Sequence, residues 1–217
     1  MAQTQAIFLD KDGTLFAGIP DGTNSAFMRF APGAATGLRR LACLGLPLIV
    51  LSHEPGMAMG LVTQNDLNRM HRRMARMFQS VGAELSGFYY CAHHPGGRIA
   101  HLSRVCRCRR PLPGLLEFAA VEHHVDLARS WFIGDRLDGI EAGYRAGCET
   151  ILVNDGNETE WQTGEMRTPH YVVDDFDQAS LLVFRSDALQ AVPLTPANEH
   201  PVVSDWHHTV VRQVSCG

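Results

Sequence analysis

Five short apolar runs, each followed by polar residues, constrain the fold of this chain most strongly. They are residues 6–9, 47–51, 131–133, 150–153 and 171–173. Stretches with a helical spacing of apolar residues lie between the runs, at residues 34–44, 64–81, 113–124 and 137–146. Short apolar strands that alternate with helices favour a parallel sheet covered on both faces. The sequence therefore predicts an α/β fold built on a doubly wound parallel sheet.

The polar residues that follow these runs predict where a functional site lies. In a doubly wound sheet, ligands bind outside the carboxyl ends of the strands. Asp10 and Ser52 directly follow two of the runs, and Asp135 comes one residue after a third. We therefore expect these three side chains to converge at one edge of the sheet.

Length and charge favour one globular domain and argue against some partners. The chain has 217 residues and a formal net charge of −4, so no electrostatic attraction to nucleic acid or an anionic membrane is expected. No apolar run reaches the roughly 20 residues of a spanning helix, and the N-terminus lacks a signal-peptide pattern. We expect a cytoplasmic protein, monomeric by default, with one domain at residues 1–184 and a C-terminal extension at residues 185–217.

Residues 10–14 carry the carboxylates from which a chemistry can be inferred. They read Asp-Lys-Asp-Gly-Thr, and strand alternation predicts Asp10 and Asp12 on one side with Lys11 turned away. Two carboxylates so close together repel each other unless a cation or a proton lies between them. A glycine at position 13 permits a tight turn whose amides can face an anion. A carboxylate nucleophile, a second carboxyl group and a divalent cation suit phosphoryl transfer, whereas an Asp-rich surface turn is the structural alternative.

Residues 91–108 form a second candidate site and read CAHHPGGRIAHLSRVCRC. Cys-x-His stands at one end and Cys-x-Cys at the other, and such side chains are typical ligands of a tetrahedral metal site. Three of the six cysteines lie in this segment. Their clustering favours a metal site over a disulfide framework, and leaves open whether the metal serves chemistry or structure.

These motifs together resemble those of the haloacid dehalogenase-like phosphatases, a family with a Rossmann-like fold. Its first motif is an apolar run followed by Asp-x-Asp-Gly-Thr, as at residues 10–14, and its second is a Ser or Thr after a strand, as at Ser52. Its third is a Lys or Arg near a helix start, and its fourth begins with Gly-Asp, as at residues 134–135. The segment Cys-x-His to Cys-x-Cys-Arg-x-Pro is similar to the zinc-bearing branch of heptose-1,7-bisphosphate phosphatases and histidinol-phosphatases. The resemblance covers about residues 6–177. The segment at residues 16–30 is too short for a large cap domain, so we expect a capless enzyme with an open site.

The resemblance implies roles for the residues near the strand ends. Asp10 is expected to attack phosphorus, and Asp12 to protonate the leaving oxygen and then to activate the water that hydrolyses the aspartyl-phosphate. Mg²⁺ is expected to bind to Asp10, Asp135 and the backbone carbonyl of Asp12. The residues expected to bind the substrate phosphate are Ser52, Arg109, Arg110, Gly13 and Thr14.

The resemblance also implies a structural Zn²⁺ in the cysteine-rich segment. The residues expected to hold it are Cys91, His93, Cys106 and Cys108. Four protein ligands close the tetrahedron, so the metal would position Arg109 and Arg110 rather than bind substrate. His94 in place of His93 is the alternative ligand, and iron in place of zinc remains open because three cysteines and a histidine accept both metals.

The sequence departs from the family pattern in the second, third and fourth motifs. His53 and Glu54 stand where Asn and Gln are typical, and a glutamate beside a phosphorylated sugar adds repulsion unless a cation intervenes. We therefore consider both residues as candidates for substrate specificity. Arg110 replaces a lysine, and a planar guanidinium is not equivalent to an ammonium group. The second acid of the fourth motif is replaced by Gly139, with Asp138 one position early.

The expected function is Mg²⁺-dependent hydrolysis of a small soluble phosphate monoester. A sugar bisphosphate of the heptose type is the favoured substrate. Histidinol phosphate is the alternative substrate, because its amine would give Glu54 a partner. A binding module that keeps the fold and the metal site without turnover is the second alternative. Three retained carboxylates, at Asp10, Asp12 and Asp135, argue against such a module, which has no need of them.

Overall fold

A seven-stranded parallel sheet forms the centre of the protein. The computed structural model describes residues 4–17, 25–154, 156, 164–190 and 210–214. The described residues form nine strands in two sheets, which are β1 (Ile7–Asp10), β2 (Phe16–Ala17), β3 (Arg29–Phe30), β4 (Leu48–His53), β5 (Gly87–Cys91), β6 (Trp131–Gly134), β7 (Glu149–Val153), β8 (Tyr171–Val173) and β9 (Val210–Gln213). The strand order is β8-β7-β6-β1-β4-β5-β9 with every neighbouring pair parallel, and β2 and β3 form a separate antiparallel pair.

Helices cover both faces of the sheet. They are α1 (Ala34–Ala42), α2 (Pro55–Ala58), α3 (Gln64–Ser80), α4 (Gly114–His123), α5 (Leu137–Arg145) and α6 (Phe176–Gln190). Ile7 and Leu9 of β1 face a core shared with α1, α3 and α6, whereas Phe8 faces a second core shared with α4 and α5. Since both faces are buried, the central strands can be apolar at every position.

The predicted fold class is confirmed. The five apolar runs correspond to β1, β4, β6, β7 and β8, and the four helical stretches to α1, α3, α4 and α5, with boundaries that differ by at most two residues. No helix in the described part of the chain is both long and apolar enough to cross a bilayer.

The elements not predicted from the sequence include β5, β9 and α6. β5 pairs with β4 and ends at Cys91, and β9 from the C-terminal region pairs with the other side of β5. α6 spans Phe176–Gln190 and therefore crosses the domain boundary that was expected between residues 184 and 185. Much of the predicted extension, residues 191–209 and 215–217, lies outside the described residues.

Candidate active site

The central strands bring the predicted polar side chains to the carboxyl edge of the sheet. β1 lies between β4 and β6, and the strand register pairs Asp10 with Leu51 and Leu9 with Ile133. Asp10, Ser52 and Asp135 therefore lie at nearly the same level, near the ends of three adjacent strands. All three residues are buried.

The turn after β1 joins the first motif to the fourth. β1 ends at Asp10, and the amide of Lys11 donates to Asp10 Oδ1 at 2.8 Å. Gly13 has a φ of 78°, in the left-handed region that favours glycine. Its amide donates to the carbonyl of Phe16 at 3.0 Å, so this amide stabilises the turn. The hydroxyl of the buried Thr14 donates to Asp135 Oδ1 at 3.1 Å.

Asp10 is bound by the guanidinium group of Arg110. Nη1 donates to Oδ2 at 2.6 Å and Nη2 donates to Oδ1 at 2.5 Å, a two-pronged contact typical of arginine and carboxylate. Arg110 was expected to bind the substrate phosphate, and this geometry places it beside the expected nucleophile. An anion that reaches Asp10 would therefore meet Arg110 as well.

The two buried carboxylates at this edge fit a divalent cation. Burial raises the pKa of Asp10, although Arg110 opposes the shift. Burial and the neighbouring Asp10 charge raise the pKa of Asp135 to about 8. A cation bound between the two groups would remove this repulsion, and carboxylate oxygens are the ligands that Mg²⁺ prefers.

Gly139 and Asp138 lie on α5 close to the Arg110 guanidinium. A Cβ at position 139 would lie 3.2 Å from Arg110 Nη1 and 3.2 Å from the ring of Phe132. Asp138 Oδ1 lies 3.7 Å from the same Nη1. The departures in the third and fourth motifs therefore belong together, because the glycine leaves room for the bulkier arginine and Asp138 adds a carboxylate beside it.

His53 connects the end of β4 to the backbone of the arginine segment. Its Nε2 accepts a hydrogen bond from the amide of Arg110 at 2.9 Å and lies 3.2 Å from the carbonyl oxygen of Cys108. Burial and, as a smaller cause, the charge of Arg110 hold the pKa of His53 well below its usual value. The ring is therefore neutral, and Nε2 can accept a hydrogen bond. In this structure the residue contacts the protein backbone, and its role in substrate choice stays a prediction.

Glu54 lies in a buried network with Lys11 and Ser52. Glu54 Oε1 lies 2.5 Å from Lys11 Nζ and accepts a hydrogen bond from Ser52 Oγ at 2.8 Å. Lys11 is therefore the cation that offsets the charge of Glu54. The Ser52 hydroxyl, which was expected to bind phosphate, donates to Glu54 in this arrangement.

Strand alternation predicted that Lys11 turns away from both carboxylates of the first motif, but the structure shows otherwise. Its Nζ lies 3.3 Å from Asp12 Oδ2. The prediction was wrong because β1 ends at Asp10, and alternation does not extend into the turn that follows. No role was predicted for Lys11, although the unusual Glu54 was a signal that a compensating cation was needed.

The cysteine-rich segment forms a compact, buried cluster. The ligand atoms of Cys91, His93, Cys106 and Cys108 all lie within 4.8 Å of one another. The three sulfur–sulfur distances are 3.3, 3.3 and 3.6 Å, and His93 Nδ1 lies 3.3 Å from Cys108 Sγ. None of these three cysteines forms a disulfide bond.

The geometry of this cluster suits a tetrahedral metal. Zinc–sulfur bonds of about 2.3 Å hold the sulfurs of a tetrahedron about 3.8 Å apart, close to the observed spacing. Hydrogen bonding from Cys108 lowers the pKa of the Cys91 thiol to about 5, although burial opposes the shift, whereas burial raises the pKa of the Cys106 thiol. A thiolate is the form that binds metal. His94 instead accepts a hydrogen bond from the amide of Gly96, and the cluster contains His93.

The cluster contacts both the arginine segment and the C-terminal strand. Arg109 follows Cys108 directly, and its Nη1 donates to the carbonyl of His93 at 3.4 Å. The sulfur of Cys108 lies 3.7 Å from the carbonyl oxygen of the buried Val214, which follows β9. The chain around the cluster thus places Arg110 over the end of β1.

The chain is similar in sequence to known phosphatases. Residues 107–179 match the HAD-hydrolase-like family. A D-glycero-beta-D-manno-heptose-1,7-bisphosphate 7-phosphatase from Yersinia pestis is 34% identical over 152 residues, which are 70% of this chain and 81% of the relative. The protein of the same name from Escherichia coli (strain K12) is 34% identical over 152 residues, with 70% and 80% covered.

A solved structure supports the same relationship. The D,D-heptose 1,7-bisphosphate phosphatase from B. bronchiseptica, complexed with magnesium and phosphate, has a TM-score of 0.69 at 26% identity. The match covers 84% of this chain and 99% of that one. The resemblance inferred from the motifs and the expectation of a phosphoric monoester hydrolase are both confirmed. The chain therefore belongs to the haloacid dehalogenase-like hydrolases, and among them it is a phosphatase.

Proposed function

We propose that this phosphatase hydrolyses a sugar bisphosphate of the heptose type through a phosphorylated Asp10. The observation that carries the proposal is the pair of buried carboxylates, Asp10 and Asp135, beside Arg110 at the carboxyl edge of the sheet. The substrate class follows from the relatives, whose names specify heptose-1,7-bisphosphate.

Mg²⁺ would be held by Asp10, Asp135 and the backbone carbonyl of Asp12. When bound, it would neutralise the two carboxylates and the charge of the phosphoryl group that is transferred. Burial raises the pKa of both carboxylates, so their ionised forms depend on a neighbouring cation. Thr14 keeps Asp135 oriented through its hydrogen bond to Oδ1.

In the first half-reaction, a carboxylate oxygen of Asp10 forms a bond to phosphorus while the bond from phosphorus to the sugar oxygen breaks. Asp12 gives its proton to that oxygen, which leaves a free alcohol, a phosphorylated Asp10 and an ionised Asp12. The Asp12 side chain is 54% exposed and follows the buried nucleophile by two residues, so it can reach an entering substrate.

In the second half-reaction, Asp12 takes a proton from the water whose oxygen attacks phosphorus. The bond from phosphorus to the Asp10 oxygen then breaks, inorganic phosphate leaves, and both aspartates return to their starting protonation states. Arg110 holds both oxygens of Asp10, so at least one must be released before attack. The substrate phosphate gives the guanidinium a second anion to bind as that oxygen is released.

We infer that Cys91, His93, Cys106 and Cys108 hold a structural Zn²⁺. The four side chains are buried and would complete a tetrahedron without a solvent ligand. The metal would then act indirectly, by fixing the segment that carries Arg109 and Arg110. His53 supports the same segment from the end of β4.

Histidinol phosphate loses the feature that favoured it as a substrate. That alternative required Glu54 to meet a substrate amine, but Glu54 is buried against Lys11. A heptose bisphosphate makes no such demand on Glu54.

Phosphate release from a panel of substrates tests the proposal. The purified protein, with Mg²⁺ added and its zinc content measured, is incubated with heptose 1,7-bisphosphate, sugar monophosphates and histidinol phosphate. We expect the highest kcat/KM with heptose 1,7-bisphosphate and no turnover of it by Asp10→Asn. A higher kcat/KM with histidinol phosphate, or equal turnover by Asp10→Asn, would contradict the proposal.

A further inference from the structure

We propose that Lys11, held in place by Glu54, is a positioning residue that fixes the Asp12 carboxylate for proton transfer to the leaving oxygen. The inference rests on the proposed role of Asp12 as general acid and base. It assigns a function to a buried ion pair that lies beneath the site and has no role in the reaction as described so far.

The burial of this ion pair calls for a reason beyond stability. The side chains of Lys11 and Glu54 are 0% and 4% exposed, with Nζ and Oε1 2.5 Å apart. Removing two charges from water carries a large desolvation penalty, and apolar side chains of similar size often serve stability as well or better. A buried pair beside an active site is therefore better explained by what else its charges contact.

A second carboxylate, that of Asp12, also contacts Lys11. Its side chain is 54% exposed, and its Oδ2 lies 3.3 Å from Lys11 Nζ. An exposed carboxylate in a turn would otherwise sample several rotamers. With Oδ2 held by the ammonium group, Oδ1 is the oxygen that remains for contact with the leaving oxygen.

The ammonium group of Lys11 has a fixed orientation. It carries three N–H donors, and three acceptors lie within reach: Glu54 Oε1 at 2.5 Å, Met70 Sδ at 3.1 Å and Asp12 Oδ2 at 3.3 Å. Glu54 is itself fixed by the hydrogen bond from Ser52 Oγ at 2.8 Å. The position of Asp12 is thus tied to β4 and α3 as well as to its own turn.

Two variants that differ only at position 11 test this inference. Glu54→Gln removes the buried negative charge but keeps an amide oxygen for Ser52 and Lys11. Lys11→Met in the same Glu54→Gln background then removes the ammonium group without leaving a buried charge unpaired. If that double variant does not fold, Lys11→Gln in the same background takes its place.

The measured quantity is kcat/KM, which reports the first half-reaction, for heptose 1,7-bisphosphate, phenyl phosphate and p-nitrophenyl phosphate. p-Nitrophenolate can leave without being protonated, whereas the oxygen of a sugar must receive a proton as it leaves. We expect removal of Lys11 to lower kcat/KM by about tenfold or more for the sugar phosphate and much less for p-nitrophenyl phosphate. An equal loss for all three substrates, or no loss, would overturn the inference.

Asp12→Asn distinguishes the failure of this inference from the failure of the proposed function. If Asp12→Asn loses activity more steeply with poor leaving groups and the Lys11 variant does not, only the role of Lys11 is wrong. If Asp12→Asn itself shows no dependence on the leaving group, the proposed role of Asp12 is wrong and the inference falls with it.

Discussion

The two candidate sites of this protein balance their buried polar groups in different ways. At the strand ends, anionic side chains face cationic ones: Asp10 contacts Arg110, and Glu54 contacts Lys11. In the cysteine-rich segment, three thiols and an imidazole face one another within 4.8 Å. At the strand ends, the positive charges that balance the carboxylates come from the chain itself. In the cluster, a metal cation would supply the positive charge that converging thiolate and imidazole ligands require. We therefore expect changes at the strand ends to alter turnover first, and changes in the cluster to alter stability first.

The largest effect is expected from Asp10→Asn, which tests the chemical side of this comparison. An amide cannot serve as the nucleophile, so kcat should fall by at least about three orders of magnitude. Bound zinc, measured by atomic emission, should stay as in the wild type. Asp126→Asn, before β6 at the opposite end of the sheet, is the matched control and should keep full activity. Loss of zinc in Asp10→Asn would show that the two sites are not separable.

Cys106→Ser tests the structural side of the comparison. Serine keeps the size of the side chain but cannot supply a thiolate, so bound zinc should fall from about one per chain to well below that. The thermal midpoint should drop by about 5 °C or more, because metal binding free energy contributes to folding. Turnover should decrease less than in Asp10→Asn.

Cys43→Ser is the control for the cluster, because Cys43 is an exposed free cysteine outside it. Its zinc content and thermal midpoint should match the wild type. An equal zinc content in Cys106→Ser and Cys43→Ser would contradict the assignment of the ligands.

Gly139→Asp tests whether the departures in the third and fourth motifs compensate each other. The substitution restores the acid of the family pattern, but its Cβ would lie 3.2 Å from Arg110 Nη1. We expect kcat/KM to fall about tenfold, because a small displacement of Arg110 misplaces the phosphate. Arg110→Lys combined with Gly139→Asp should recover part of this loss, since lysine lacks the planar group. Higher activity in Gly139→Asp alone would contradict the compensation.

The smallest effect is expected from His53→Ala, which removes a connection between the two sites. The amide of Arg110 loses its acceptor, so the free energy of unfolding in urea should fall by about 1 kcal/mol. A severalfold decrease in kcat should accompany it, because the position of Arg110 becomes less defined. His101→Ala, an exposed histidine of the same segment, is the control. Identical behaviour of the two variants would show that His53 does not connect the sites.

The sequence was sufficient to predict the elements whose signal is local. Strands β1, β4 and β6 are short apolar runs followed by polar residues, and this pattern alone placed Asp10, Ser52 and Asp135 at one edge. The cysteine cluster was also predictable, because the spacing of its ligands resembles a known pattern. β5 was missed although its Phe-Tyr-Tyr core favours a strand. Only its last residue, Cys91, was assigned, as a ligand in the predicted metal-binding segment.

Contacts between distant parts of the chain were not predictable. Whether Val210–Gln213 forms a strand depends on the free edge of β5, more than a hundred residues away in sequence. The surroundings of Lys11 depend equally on Glu54 and Met70, which other elements bring to it. Periodicity assigns a side chain to a face of an element, but the partners that it meets there are set by tertiary packing.

The most direct test of the account is identification of the residue that becomes phosphorylated. The protein is mixed with heptose 1,7-bisphosphate and Mg²⁺, quenched in acid during turnover, digested and examined by mass spectrometry. We expect a phosphoryl group on Asp10, present during turnover and absent once substrate is exhausted. A phosphoryl group on another residue, or continued turnover with Asp10 never modified, would contradict it.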